Sequence, residues 1–214
     1  MQTVEYAVIA VAGLGSRLGL GKPKCLVEIG GYPIIEYQLK MLKDIPNIRL
    51  VVGFEEHEVI KVARKLRPDV VFVRNPSFRT TTTLASYSMG AEHIDKPCLF
   101  MDGDIIFEPN SFHKFVDRCS SEKLLVGVTA AKTDDAVYVH LENEKITKFS
   151  RTEESDFEWA NIVWVPPGYF SCENKSVYER LQDDLPLSVC SVDSHEVDTV
   201  EDFERAKSNA YRLS

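Results

Sequence analysis

A chain of 214 residues that is 44% hydrophobic and 27% charged can bury one substantial core and is too apolar to stay disordered. Its formal net charge of -8 repels polyanions, which excludes an extended nucleic-acid footprint and requires any phosphate site to be local. No apolar run approaches the roughly 20 residues that span a bilayer. The first six residues lack a signal-peptide pattern, so no membrane partner is expected and the cytoplasm is the expected compartment. The five cysteines are odd in number and far apart, without a C-x-x-C pair, which argues against a disulfide framework or a zinc site.

Along the chain, Tyr6–Ala12 is a short apolar run ending at glycines, the pattern of a buried strand feeding a loop. Helical periodicity follows at Pro33–Lys43, then strand and helix alternate: Ile48–Val52, Glu56–Leu66, Val70–Val73, Leu84–His93, Cys98–Met101. After Asp104 a helix at Asn110–Cys119 gives way to strand-like runs at Leu124–Ala130, Val137–Leu141, Lys145–Phe149 and Asn161–Val165, and Glu142–Glu144 reads as a hairpin turn. A last helix is expected at about Val200–Arg212, with Thr199 and Asp202 as an approximate capping box. The expectation is an α/β fold, a Rossmann-like three-layer sandwich whose central sheet is mostly parallel, with antiparallel strands in the second half. No linker composition marks a boundary, so residues 1–214 are read as one domain.

The most informative segment runs from Ala12 to Lys24: Ala12-Gly13-Leu14-Gly15-Ser16-Arg17-Leu18-Gly19-Leu20-Gly21-Lys22-Pro23-Lys24. It holds three cations and no acid, and glycines let backbone N–H groups approach phosphate oxygens. A Rossmann fingerprint would need glycine at Leu18, and a Walker A loop would need glycine at Ser16 and Ser or Thr at Pro23. Both are excluded.

The remaining pattern, G-x-G-[ST]-R-[LM] followed by P-K, resembles the signature loop of nucleotidyltransferases of the GT-A-like fold, among them phosphocholine cytidylyltransferases and sugar-1-phosphate nucleotidyltransferases. Further along, Asn75-Pro76-Ser77-Phe78 with Thr80–Thr83 and Ser86 resembles the segment that lies beside the base in small-alcohol cytidylyltransferases. Asp102-Gly103-Asp104 falls where the family places its first metal carboxylate. Glu196-Val197-Asp198-Thr199 resembles its closing motif, whose Asp is the second. One departure stands out: Asn161-Ile162 replaces the usual Gly-Ile.

The resemblance implies a magnesium-dependent enzyme that joins a nucleoside triphosphate, with CTP favoured, to a small phosphorylated alcohol, amine or phosphonate and releases pyrophosphate. It implies that Lys24 reaches the α-phosphate and Arg17 the departing pyrophosphate. Ala12, Gly13, Leu14, Gly15, Ser16, Thr81, Thr82, Thr83, Ser86 and Asp102 would contact the nucleotide. Asp104 and Asp198 would hold Mg²⁺, a cation that prefers oxygen ligands, with Asp102 the competing first ligand. Arg151, Glu158 and Trp159 would face the acceptor, whereas Trp164, inside an apolar run, fills the core. Two other readings share these motifs: a sugar-1-phosphate guanylyl-, uridylyl- or thymidylyltransferase, and a nucleotide-binding regulator that has lost catalysis. A homodimer is among the assemblies the sequence leaves open.

Overall fold

Tyr6–Ala10 forms β1, and its alternating side chains serve two cores: Ala7 and Ile9 pack into one apolar cluster, Val8 into another. A strand buried on both faces needs such a continuous apolar run. A computed structural model of the chain describes residues 4–15, 19, 21–133, 135–171 and 175–208.

After a single 3-10 turn at Lys24–Leu26 come the short strands β2 (Glu28–Ile29) and β3 (Tyr32–Pro33), then α1 (Ile34–Met41), β4 (Asn47–Val52), α2 (Glu56–Leu66), β5 (Val71–Arg74) and α3 (Thr83–Gly90). The chain continues through β6 (Cys98–Asp102), β7 (Ile105–Phe107), α4 (Pro109–Cys119), β8 (Leu125–Ala130), β9 (Tyr138–Glu142), β10 (Lys145–Ser150) and β11 (Phe157–Val165). It ends in α5 (Val177–Gln182), β12 (Leu187–Ser191), β13 (Ser194–Glu196) and α6 (Val200–Ser208). Local chemistry sets the starts of α4 and α6. Pro109 stands in the first turn of α4 while the Glu108 carboxylate accepts from the amides of Asn110 and Ser111. The capping box before α6 is formed: Asp202 accepts from the Thr199 amide and hydroxyl, and the Asp202 amide donates to Thr199 Oγ1.

Helices cover both faces, as expected: α1, α2 and α4 supply Leu39, Val59 and Phe115 to one cluster, α3 and α5 supply Leu84, Tyr87 and Leu181 to the other. The mostly parallel sheet is corrected. The nine-stranded sheet has the order β5-β4-β1-β6-β11-β8-β12-β10-β9. Only β5-β4-β1-β6 and the β8/β12 pair run parallel. β11 inserts antiparallel between β6 and β8 and also touches β9 through Glu158↔Tyr138, which closes β11-β8-β12-β10-β9 into a barrel-like ring. The β9/β10 hairpin turns at Asn143 and Glu144, both with positive φ (49° and 59°), the signature of a primed turn that matches strand twist. Among the described residues no helix is long and apolar enough to cross a membrane.

Candidate active site

The carboxyl ends of β1 and β6 lie side by side, and the loops leaving them floor a cleft of about 470 Å³. From β1 the chain enters the glycine loop, of which Ala12 to Gly15, Gly19 and Gly21–Lys24 are described; Ser16 and Arg17 lie outside the described residues. Gly15 has φ +62°, and a Cβ there would sit 2.7 Å from Lys24 Cγ, so the loop can fold back over the lysine stem only with glycine in place. Extended Pro23 leads into the 3-10 turn, where buried Cys25 anchors the core and Lys24 is left to project into the cleft.

From β6, Asp102 and Asp104 leave on a loop pinned from below. Gln38 of α1, fully buried, donates through Nε2 to the carbonyls of Asp102 (2.7 Å) and Ile105 (2.9 Å). The partner across the sequence arrives on a ribbon. β13 pairs antiparallel with β7, Glu196 opposite Ile105, and the Val197 amide donates to the Asp104 carbonyl at 2.9 Å. That ribbon sets Asp104, Glu196 and Asp198 together, one oxygen from each within 4.8 Å of the others. Three hard oxygen donors at this spacing fit Mg²⁺ or a similar cation. Lys24 answers the same charge: its Nζ donates to Asp104 Oδ2 at 2.9 Å and to Asp198 Oδ1. Burial alone would lower the lysine, and the charges and hydrogen bonds of the two aspartates outweigh it and hold the ammonium above its usual range. Glu196 is pushed up to about 8, first by burial and then by the charges of Asp104 and Asp102. Asp102 is pushed up to about 7 by burial and by Asp104, and accepts from Tyr87 Oη at 2.6 Å. Between the two aspartates of this loop, Asp104 is the one in the carboxylate group.

Buried Asn75 organises the next wall. Its Oδ1 accepts from the Ser77 amide and its Nδ2 donates to Thr81 Oγ1 and Ser86 Oγ, so those hydroxyls are held in place facing the cleft. Thr82 precedes α3 but does not cap it; its hydroxyl donates to the Lys175 carbonyl, while Thr83 lines the same wall. At the far side stand Arg151, Glu158 and Trp159. Arg151 bonds Asp135 Oδ1 at 2.8 Å and lies over the Tyr178 ring, its guanidinium carbon 5.5 Å from the centroid. Glu158 is 4% exposed, and its Oε2 accepts from the amides of Lys132 and Thr133 and from the Thr133 hydroxyl. Its carboxylate therefore ties down that loop as well as lining the cleft. Trp159 is 8% exposed and its Nε1 has no partner among the described residues. Trp164 is core, with Nε1 on the Glu122 carbonyl. The sequence motifs contain Asn75 and Glu196 without giving either residue a role, and the structure shows what each one holds. The i, i+2 spacing of Glu196 and Asp198 was the available signal for Glu196.

Residues 7–182 match the MobA-like NTP transferase domain. The chain belongs to that family. Among curated relatives of this NTP transferase, the CMP-5'-(3-aminopropyl)phosphonate synthase of Streptomyces rubellomurinus is 34% identical over 110 residues, 48% of this chain and 18% of that protein. The chain thus spans a small part of that relative's length. Among solved structures, the CTP:phosphocholine cytidylyltransferase of Streptococcus pneumoniae superposes with a TM-score of 0.77 at 20% identity, covering 97% of this chain and 100% of the other. The inositol-1-phosphate CTP transferase of T. maritima gives 0.75 at 16%, covering 97% of each. At these identities the two structures bear on the fold alone.

Proposed function

We propose that the domain, taken as residues 1–214, transfers CMP from CTP to a small phosphorylated alcohol, amine or phosphonate and releases pyrophosphate. The observation that carries this reading is the Lys24 ammonium set against Asp104 and Asp198 at the floor of a cleft that opens from a glycine loop on one side to Arg151 and Trp159 on the other. The likeness to a CMP-phosphonate synthase supports cytosine and a small phosphonate-type acceptor.

The acceptor's phosphate has its second pKa near 6 and is already a nucleophile near neutral pH, so no general base is needed. Backbone amides of Gly13, Leu14 and Gly15 hold the triphosphate, with Ser16 and Arg17 taking the β- and γ-phosphates. Thr81, Thr82, Thr83 and Ser86 border the base, and Asp102 the ribose. Lys24 shifts from the aspartates to the α-phosphate and stabilises the charge that builds as the acceptor oxygen attacks and the bond to the pyrophosphate oxygen breaks. Arg151 attracts the acceptor anion, and Trp159 offers an aromatic face to a cationic tail. Asp104 and Asp198, with Glu196 beside them, would hold Mg²⁺, whose charge would offset the repulsion between the two anions.

The test is pyrophosphate release from CTP, UTP, GTP and ATP with phosphocholine, phosphoethanolamine, 3-aminopropylphosphonate and glucose 1-phosphate. CTP with an aminoalkyl phosphate or phosphonate is expected to turn over fastest. Preference for glucose 1-phosphate would move the enzyme to the sugar-nucleotide class, and no release from any pair would leave a nucleotide-binding regulator.

A further inference from the structure

The middle of β11 breaks its pairing with β8. The register runs from Phe157↔Ala130 to Trp159↔Val128 and resumes at Val163↔Val126, so Ala160, Asn161 and Ile162 stand opposite the single residue Gly127. The bulge sits down onto that glycine, where a Cβ would fall 2.3 Å from Ile162 Cγ2. Ala160 and Ile162 point into the core. Asn161, with φ 49°, is turned instead into the cleft, where its Nδ2 donates to Glu196 Oε2 at 3.2 Å. Glycine and asparagine both suit a left-handed backbone, but the carboxamide here bonds Glu196 across the cleft rather than its own backbone.

The sheet order says what that carboxamide meets. The glycine loop leaves β1, the aspartate loop leaves β6, and Asn161 lies on β11, one strand further on. Strands are about 4.8 Å apart, which separates the triphosphate loop from Asn161 by roughly 10 Å with the carboxylate group between them. In-line transfer puts acceptor and leaving group on opposite sides of the α-phosphorus. We propose that Asn161 is a specificity-determining residue of the acceptor subsite, whose carboxamide contacts the acceptor beside its reacting phosphate and restricts that subsite to a compact carbon chain. The proposal rests on the functional reading above and adds the residue that selects the acceptor.

The experiment compares wild type with Asn161→Gly in CTP-dependent pyrophosphate release, using phosphoethanolamine and glucose 1-phosphate, alongside thermal melting. Glycine should preserve the fold and leave the KM for CTP within about twofold. It should raise the KM for phosphoethanolamine and increase the kcat/KM ratio of glucose 1-phosphate to phosphoethanolamine by roughly 10-fold or more, the scale of a pocket-shape effect. An unchanged ratio, or equal losses for both acceptors, would overturn the proposal while leaving the functional reading intact. Asn161→Asp keeps the size and alters the charge beside Glu196. It should continue to exclude glucose 1-phosphate while raising the KM for phosphoethanolamine, and an unaltered KM there would also count against the assignment. If wild type releases no pyrophosphate with any acceptor, the functional reading falls and the role of Asn161 falls with it.

Discussion

At the scale of single residues, Lys24 and the three carboxylates form one electrostatic unit. If Lys24 acts as proposed, on charge that appears in the transition state, Lys24→Ala should lower kcat by about 10²–10³ while changing the KM for CTP far less. Steady-state kinetics separate the two effects. The same variant leaves Asp104, Glu196 and Asp198 without their ammonium, so its Tm in EDTA should fall and Mg²⁺ should restore more of it than in wild type, read by calorimetry. Asp104→Asn and Asp198→Asn should each abolish most turnover with unchanged far-UV circular dichroism, since both side chains face the cleft. Motif resemblance singled out Lys24, Asp104 and Asp198 as site candidates, and the structure groups them. Glu196 stood in the same closing motif without a role, because only the ribbon of β7 and β13 shows that this strand residue is turned toward Asp104. The resemblance implies an acceptor contact for Glu158, whereas its three bonds to Lys132 and Thr133 join residues 25 and 26 positions apart and show only in the fold.

At the scale of elements, α4 and α6 start by local capping rules, whereas α1, α2 and α3 start without a side-chain cap. The Glu108 cap of α4 illustrates the first: burial alone would raise its carboxyl, and the hydrogen bonds from Asn110 and Ser111 outweigh it and hold the group below its usual range. Glu108→Ala should cost about 1 kcal/mol in urea unfolding, typical of a lost cap. Because the folded pKa lies below the unfolded value, the contribution is full above the unfolded pKa of about 4.3 and disappears as pH falls through the folded one. The difference between wild type and variant should therefore shrink in acid. β2, β3, β7, β12 and β13 and the short helix α5 have no counterpart in the expected elements: each is only two to six residues long, and none stands out as a separate apolar run between turn signals. β11 appeared only from Asn161 onward because the bulge interrupts its period.

At the scale of the whole molecule, the sheet and its closure decide where stability resides. β1 is hydrogen-bonded on both sides, to β4 and β6, and Ala7, Val8 and Ile9 are fully buried. β5 stands at the sheet edge with Val71 53% exposed. Amide exchange should be slowest in β1 and β6 and markedly faster in β5, by orders of magnitude if the edge opens locally. Equal rates would argue that the domain opens only as a whole. What the sequence by itself determined was the run of alternating strands and helices in the first half and the glycine loop, which rest on local periodicity and local spacing. Lys24, Asp104 and Asp198 were site candidates by motif resemblance, and the structure brings the three side chains together. Only the tertiary structure decided that β11 enters antiparallel and closes a ring of five strands, that β13 carries Asp198 to Asp104, and that Asn161 turns from the core into the cleft. Each of these depends on hydrogen-bond ladders between segments distant along the chain, and such pairing is settled by which apolar faces can be buried together rather than by any stretch of residues read alone.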